Sequence, residues 1–338
     1  MKILILRFSS LGDITMATAL PRLLRAKFPD SQIDMAVRED YHDLIEWNPH
    51  LTNKIYLSRG EGFKGLLRLT ERIRDTKYDL IIDAHRSLRS MFICLATPGV
   101  EKVYFNKRTL KRLVLILFKI NLFKEVDLQI VEYIKPLKKY GIEYDGAGTE
   151  VFIPDNIKDK VKSVLSSKIP SFRKKKLIGL VPSAQWPGKR WPSGSFDALA
   201  GMIVEKLNAD VIMIGGKNDN FCADIAAKYK NVYSFAGQFS IAESAAAMAE
   251  CDVVVANDTG MMHVAEAVGK DVIGIMGPTS YEFGCYPFRK TSRVVELDMW
   301  CRPCSKNGQG PCIRWGQRPC LNNITPEMVF KELREYLK

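Results

Sequence analysis

No stretch of the 338-residue sequence is apolar for long enough to cross a bilayer. The most apolar run, Leu113 to Phe123, is about half of the ~20 residues that a spanning helix needs, and Lys119 interrupts it. The opening MKILILRFSS has too short an apolar core for a secretory leader and reads as a strand, so a cytoplasmic location is expected. The first loop carries one glycine, which excludes the GxGxxG of a dinucleotide fingerprint. No repeat of solenoid length is present. No aromatic platform or recognition motif accompanies the basic residues, so nucleic acid is not an expected partner.

What is present describes a globular chain long enough for two domains, 46% hydrophobic and 26% charged. Its net charge is +12, and the charge is unevenly spread. Between Arg86 and Lys124 stand nine bases (Arg86, Arg89, Lys102, Lys107, Arg108, Lys111, Arg112, Lys119, Lys124) against one acid, Glu101. Cations separated by apolar residues suit an anionic membrane surface or an anionic substrate. A solvated basic face would have the same composition.

Apolar strands and amphipathic helices alternate along the chain. Met1 to Phe8, Gln32 to Val37, Lys54 to Leu57 and Leu80 to Asp83 read as strands, with helices over Ile14 to Lys27, Gly62 to Thr76 and Ile130 to Tyr140. The stretch Arg108 to Phe123 starts amphipathic and turns apolar; it suits a membrane surface or, the preferred reading, packing on a core. The polar, proline-punctuated segment Pro154 to Lys176 marks a domain boundary. Alternation then restarts, with strands at Leu177 to Val181, Asp210 to Ile214, Val232 to Phe235, Asp252 to Ala256 and Val272 to Met276. The expected fold is α/β, two doubly wound Rossmann-like domains over 1–160 and 175–322, followed by a helix in 323–338. Thr325 and Pro326 supply that helix with a threonine cap and a proline at its first position.

Polar chemistry gathers where strands end. After the strand Asp252 to Ala256 comes Asn257-Asp258-Thr259-Gly260 and a helix carrying His263, an arrangement that offers free N–H groups to an anion. Asp258 and Thr259 alone are equally good N-cap residues. The loop PSAQWPGKRWP places Lys189 and Arg190 at the same sheet edge, where fixed donors and a lysine could stabilise a departing diphosphate. Trp186, Pro187, Trp191 and Pro192 would stiffen that loop. Asp13, after the first strand, reads either as a first-turn acid favoured by the helix dipole or as a general base. Arg86 and Arg89 follow a strand end in the same way, and His85 is a weak candidate beside them.

These segments resemble the ADP-heptose:lipopolysaccharide heptosyltransferase family of GT-B glycosyltransferases (glycosyltransferase family 9). The likeness lies in RFSSLGDITMATALPRLL (Arg7 to Leu24), PSAQWPGKRWP, NDTGMMHVAEAVGKDVIGIMGPT and CLNNITPEMV, in family order across nearly the whole chain. The resemblance implies two Rossmann-like domains facing across a cleft, acceptor on the first and sugar nucleotide on the second. Asp13 matches the family's base, with Ser10 and Gly12 beside it. Lys189 matches the lysine on the donor phosphates, with Ser183 and Arg190 on its loop, and Asp258, Thr259, Gly260 and His263 match the donor motif. Asp219 is the candidate for the acid that holds the ribose. The implied reaction is inverting transfer of heptose from ADP-L-glycero-D-manno-heptose to the inner core of lipopolysaccharide, with Kdo-lipid A or heptosyl-Kdo as acceptor. Arg59, Lys64, Arg86, Arg89, Arg108 and Arg112 would meet the acceptor's carboxylates or phosphates, and the enzyme would sit on the inner face of the cytoplasmic membrane. No cofactor for catalysis is implied, in keeping with the lack of a carboxylate cluster for Mg²⁺. Glu132-Tyr133 stands where relatives often carry Asp-Arg, which leaves the acceptor open. The same fold transferring another sugar, or glycosylating a protein, is the nearest rival. The helix in 323–338 is expected, from the resemblance, to pack back on the first domain.

Of eight cysteines, four share one glycine-rich segment: Cys301, Cys304, Cys312 and Cys320. Their CxxC start fits a structural Zn²⁺ or iron site; disulfides or unligated thiols are the alternatives. A non-catalytic metal protein on anionic surfaces would use this cluster, but would leave Asp13 and NDTGMMH without a role.

Overall fold

The computed structural model describes residues 1–314 and 316–338. It divides into two compact units, one of residues 1–108 and 127–152, the other of residues 109–126 and 153–338.

In the first unit β1 (Lys2–Leu6), β2 (Gln32–Arg38), β3 (Asn53–Leu57), β4 (Leu80–Asp83) and β5 (Glu101–Tyr104) form one sheet in the order β3-β2-β1-β4-β5. Every pairing is parallel. A parallel sheet is covered on both faces, which is why β1 is almost continuously apolar and Ile3 to Leu6 are fully buried. The expected helix from Ile14 to Lys27 is two helices, Leu11–Ala17 and Ala19–Lys27. Pro21 has no N–H for the carbonyl of Ala17, and the Thr18 hydroxyl turns back to the carbonyl of Thr15 at 2.7 Å. The expected helix Ile130 to Tyr140 likewise tightens to a 3₁₀ helix at Lys135–Tyr140, where Pro136 stands, and ends at Gly141 with φ 70°.

The second unit holds β6 (Leu177–Val181), β7 (Asp210–Met213), β8 (Val232–Ser234), β9 (Val253–Asn257), β10 (Val272–Ile275) and β11 (Arg293–Val295), in the order β11-β10-β9-β6-β7-β8. Its pairings too are all parallel. The segment read as a domain boundary is largely the helix Asp155–Lys168, which buries Val161 and Leu165 in this unit, so the chain changes unit at 152–153. The helix Pro326–Tyr336 starts as expected, with the Thr325 hydroxyl accepting from the Met328 N–H. Its buried Val329, Phe330 and Leu333 join the core of the second unit, alongside the helix Ser193–Leu207. The preferred reading of Arg108 to Phe123 needs a larger correction. Leu115 and Phe123 of that stretch form a small core with Phe283 of the second unit, with Ile116 packed against it, while most of its apolar residues face solvent.

Each sheet reverses its strand order once, beside the first strand of its unit. In the first unit this is between β1 and β4, in the second between β6 and β9. Ligands of open α/β sheets bind outside the carboxyl ends of strands at such a point.

Candidate active site

In the first unit, the loop after β1 puts Ser10, Gly12 and Asp13 at the reversal. Asp13 lies in the first turn of the helix Leu11–Ala17 and accepts from the Ser10 hydroxyl at 2.7 Å and the Ser10 N–H at 3.3 Å. It is therefore a first-turn acid, but its chemistry is set by more than the helix. The buried guanidinium of Arg7 lies 2.7 Å from Oδ1, and the Tyr133 hydroxyl donates to the same oxygen at 3.3 Å. Arg7 is itself fixed, by donation to the carbonyl of Ala84 at 2.5 Å and by stacking over the Tyr133 ring at 5.4 Å. Burial alone would raise the Asp13 carboxyl. The charge of Arg7 and the Ser10 hydrogen bonds outweigh it and hold the group well below the usual carboxylate range. One third of the side chain stays exposed, although both carboxylate oxygens are already engaged, Oδ1 by Arg7 and Tyr133 and Oδ2 by Ser10.

At the end of β4, Asp83 accepts the N–H groups of His85 at 2.9 Å and Arg86 at 2.7 Å, which turns the chain sharply. Burial, then the charge of Arg7, push His85 down to about 3, so it is a neutral ring at physiological pH. Arg86, Arg59, Lys64 and Arg89 are exposed. Arg108 is turned inward to Glu132 at 3.5 Å. Arg112 belongs to the second unit, where it donates to the carbonyl of Phe283 at 3.1 Å.

The second reversal brings together the loops after β6 and β9. Lys189 Nζ lies 2.7 Å from Asp258, whose side chain is 4% exposed. The Thr279 hydroxyl donates to the same carboxylate at 2.6 Å. Burial would raise Asp258, but Lys189, the Thr279 hydrogen bond and the nearby His263 bring it below its ordinary value. Thr259 occupies the N-cap position without a side-chain cap hydrogen bond, so neither residue is spent on capping. The first turn of the helix Gly260–Ala267 therefore presents N–H groups next to a lysine, a setting for a diphosphate.

Asp219 and Ser183 are hydrogen-bonded to each other, and Asp219 accepts the Gly216 N–H at 2.6 Å. Arg190 serves its own loop, donating to the carbonyl of Ala184 at 2.7 Å. Three residues hold this site through contacts that the sequence reading did not assign, although it named Trp191 as stiffening the loop and Asn257 in the turn. Asn257 donates to the carbonyl of Pro182 at 2.6 Å and accepts from the Trp191 N–H at 3.1 Å, tying the two loops together. Trp191 is anchored further by its indole N–H on the carbonyl of Ile324 at 2.9 Å. Thr279 is the third. The polarity of Asn257 at the end of an apolar strand was the available signal.

The structure lends no support to a metal at Cys301, Cys304, Cys312 and Cys320. All eight cysteines are free thiols, and among the described residues no group of three or more His, Cys, Asp or Glu could hold a metal ion. Burial and the neighbouring thiols push Cys320 up to about 11 and raise Cys304, which keeps them protonated. What the segment does is pack on the lysine loop. Arg318 donates to the carbonyl of Pro187 at 2.7 Å. Gly308 approaches Gly188 so closely that a Cβ on Gly188 would lie 2.3 Å from the Gly308 oxygen.

The family model described as "Glycosyltransferase family 9 (heptosyltransferase)" matches residues 66–310. The chain belongs to glycosyltransferase family 9. This glycosyltransferase is 27% identical over 364 residues to lipooligosaccharide heptosyltransferase 2 of Haemophilus ducreyi, covering 100% of the chain and 99% of the relative. It is 25% identical over 355 residues to lipopolysaccharide heptosyltransferase 2 of Salmonella typhimurium, with the same coverage. Among solved structures, the family 9 transferase of Veillonella parvula matches with a TM-score of 0.80 at 21% identity over 99% of this chain and 97% of that one. The E. coli ADP-heptose lps heptosyltransferase II matches with a TM-score of 0.75 at 24% identity, over 100% and 98%. These likenesses give the transferase the GT-B fold that its motifs implied.

Proposed function

We propose that this glycosyltransferase moves heptose from ADP-L-glycero-D-manno-heptose to the inner core of lipopolysaccharide, with inversion at the anomeric carbon. The observation that carries the reading is the Lys189–Asp258 pair at the head of the helix Gly260–Ala267, in a chain similar end to end to heptosyltransferases. The donor's pyrophosphate would take Lys189 and the first-turn N–H groups, and Asp258 keeps the lysine at that edge. The acceptor hydroxyl would donate to the carboxylate of Asp13, near Ser10 and Gly12. As the hydroxyl oxygen bonds to the anomeric carbon, the bond from that carbon to the phosphate oxygen breaks. ADP leaves with the electron pair, and the proton passes to Asp13 and on to water. Arg7 keeps Asp13 ionised before the attack, and Lys189 meets the charge that develops on the leaving group. Arg86, Arg59, Lys64 and Arg89 offer cations to an acidic acceptor at the inner face of the membrane.

The test is ADP release from ADP-heptose with Kdo-lipid A or heptosyl-Kdo acceptor. Asp13→Ala is expected to lower kcat roughly 10²–10⁴-fold, with ADP affinity by calorimetry unchanged. Absence of ADP release with either acceptor overturns the reading.

A further inference from the structure

The helix Thr109–Phe118 is inverted relative to an ordinary surface helix. Two basic side chains are turned inward, while Lys111 stays exposed: Arg112 donates to the carbonyl of Phe283, and Lys119, just past the helix end, donates to those of Cys301 at 3.0 Å and Pro303 at 2.6 Å. Three of its four leucines are turned outward. Leu110 is 71%, Leu113 48% and Leu117 61% exposed, at the i, i+3, i+7 spacing of one helix face, with Phe118 at 67% beside them. Ile120 and Leu122 extend the exposed apolar surface beyond the helix. Leu115, on the other side, is the helix residue packed into the small core with Phe123 and Phe283. Water gives no reason to hold so many large apolar side chains out of a core, and contiguous exposure of this kind marks an interaction surface.

Charge selects the occupant. From Lys102 to Lys124 there are seven bases and no acid, with Glu125 next, in a chain of net charge +12; five of the seven are held by backbone carbonyls or by Glu132, so Lys111 and Lys124 are the cations this face shows. Two copies joined through this face would bring two cationic runs together, whereas an anionic lipid leaflet complements them. The ten-residue helix is about 15 Å long, too short to span a bilayer but suited to lying in its surface. We propose that the helix Thr109–Phe118, with the segment to Leu122, lies in the plane of an anionic lipid leaflet. The leucines and Phe118 enter the acyl boundary, and the exposed Lys111 and Lys124 meet the headgroups. The purpose, bringing the enzyme to a lipid-borne acceptor, rests on the proposed function; the binding itself does not.

The experiment is flotation of the full chain with vesicles of equal parts phosphatidylglycerol and phosphatidylethanolamine, compared with vesicles of phosphatidylcholine alone. Binding is expected on the first and not on the second. Leu113→Ser with Leu117→Ser is expected to lower the partition coefficient roughly tenfold or more. Lys111→Gln and Lys124→Gln each lower it roughly fivefold. Equal partition of wild type and the leucine variant overturns the proposal. So does a failure to float accompanied, in sedimentation velocity, by a dimer that the leucine variant dissociates; the face would then belong to a second copy. Transfer to a water-soluble acceptor fragment is measured alongside, and the leucine variant is expected to match wild type. A chain that floats but transfers no heptose leaves this surface standing and removes the proposed function. One that transfers but does not float does the reverse.

Discussion

Asp258 is a carboxylate almost without exposure, and Lys189 is the cation that matches it at 2.7 Å. Removing one member of a buried pair leaves an uncompensated charge, which costs about 3–5 kcal/mol. Lys189→Met should therefore lower the urea midpoint by an amount of that order without changing the slope. Adding Asp258→Asn removes the stranded charge and keeps an acceptor for Thr279, so the double variant should regain most of the stability but none of the transfer activity. The pH dependence follows the same pair. The Asp258 carboxyl is lower in the folded protein than in the unfolded chain. Its contribution is present above the unfolded value of about 4 and fades as pH falls below it. Acid unfolding of the double variant should lack that component. Asp13, Lys189 and Asp258 were legible in the sequence because each sits in a polar turn directly after an apolar strand. Thr279 was not, because it lies 21 residues from Asp258 and reaches it only through the pairing of β9 with β10. Arg7 was passed over as an irregularity in an apolar strand, although its buried charge sets the state of Asp13.

The helix Gly260–Ala267 does two jobs, one at each end. Its first turn faces the donor loop, while Glu266 in its last turn accepts the N–H groups of Phe288 and Arg289 and the hydroxyl of Ser292, each at 2.9 Å. Burial pushes this carboxyl up to about 7 despite those donors. A folded acid with a raised value binds more protons than the unfolded chain between its two values. The contribution is thus complete below about 4.5 and lost as pH rises through 7. Between those limits Glu266 should lower stability on the order of 3 kcal/mol. Glu266→Gln should abolish that slope, and it should cost about 1–3 kcal/mol at low pH because one backbone N–H loses its acceptor; denaturation at a series of pH values reads both. The lysine loop makes a second demand on an element. With a Cβ only 2.3 Å from the Gly308 oxygen, Gly188→Ala must displace the loop. A shift of about 1 Å there is expected to lower kcat roughly 10²-fold, with little change in far-ultraviolet dichroism. Four cysteines at short intervals suggested a metal for this segment, which the structure does not support. Its two close glycines were the better clue, and only the folded chain shows that one meets Gly188.

Each unit carries its own parallel sheet and its own core, one centred on Leu4, Leu6 and Ile81, the other on Ile178, Val253 and Ile273. The strand–helix alternation that builds both sheets was visible in the sequence because parallel strands are apolar throughout and end in polar turns. The unit boundaries were not. The chain passes from one unit to the other at 108–109, 126–127 and 152–153, and nothing in the composition of 109–126 says that Phe283 will be its partner. Separate cores predict separable unfolding. Calorimetry should resolve two transitions, and ADP, whose expected ligands Lys189, Thr259 and Gly260 all lie in the second unit, should raise the one that belongs to it. At a hundredfold excess over Kd the stabilisation is about 2.7 kcal/mol. Asp13→Ala should leave that shift intact, because it changes only the first unit, whereas Thr279→Val should reduce it by loosening Asp258 and with it Lys189. One cooperative transition that ADP moves as a whole would show that the two cores unfold together, and the donor site could then no longer be treated as the property of a single unit.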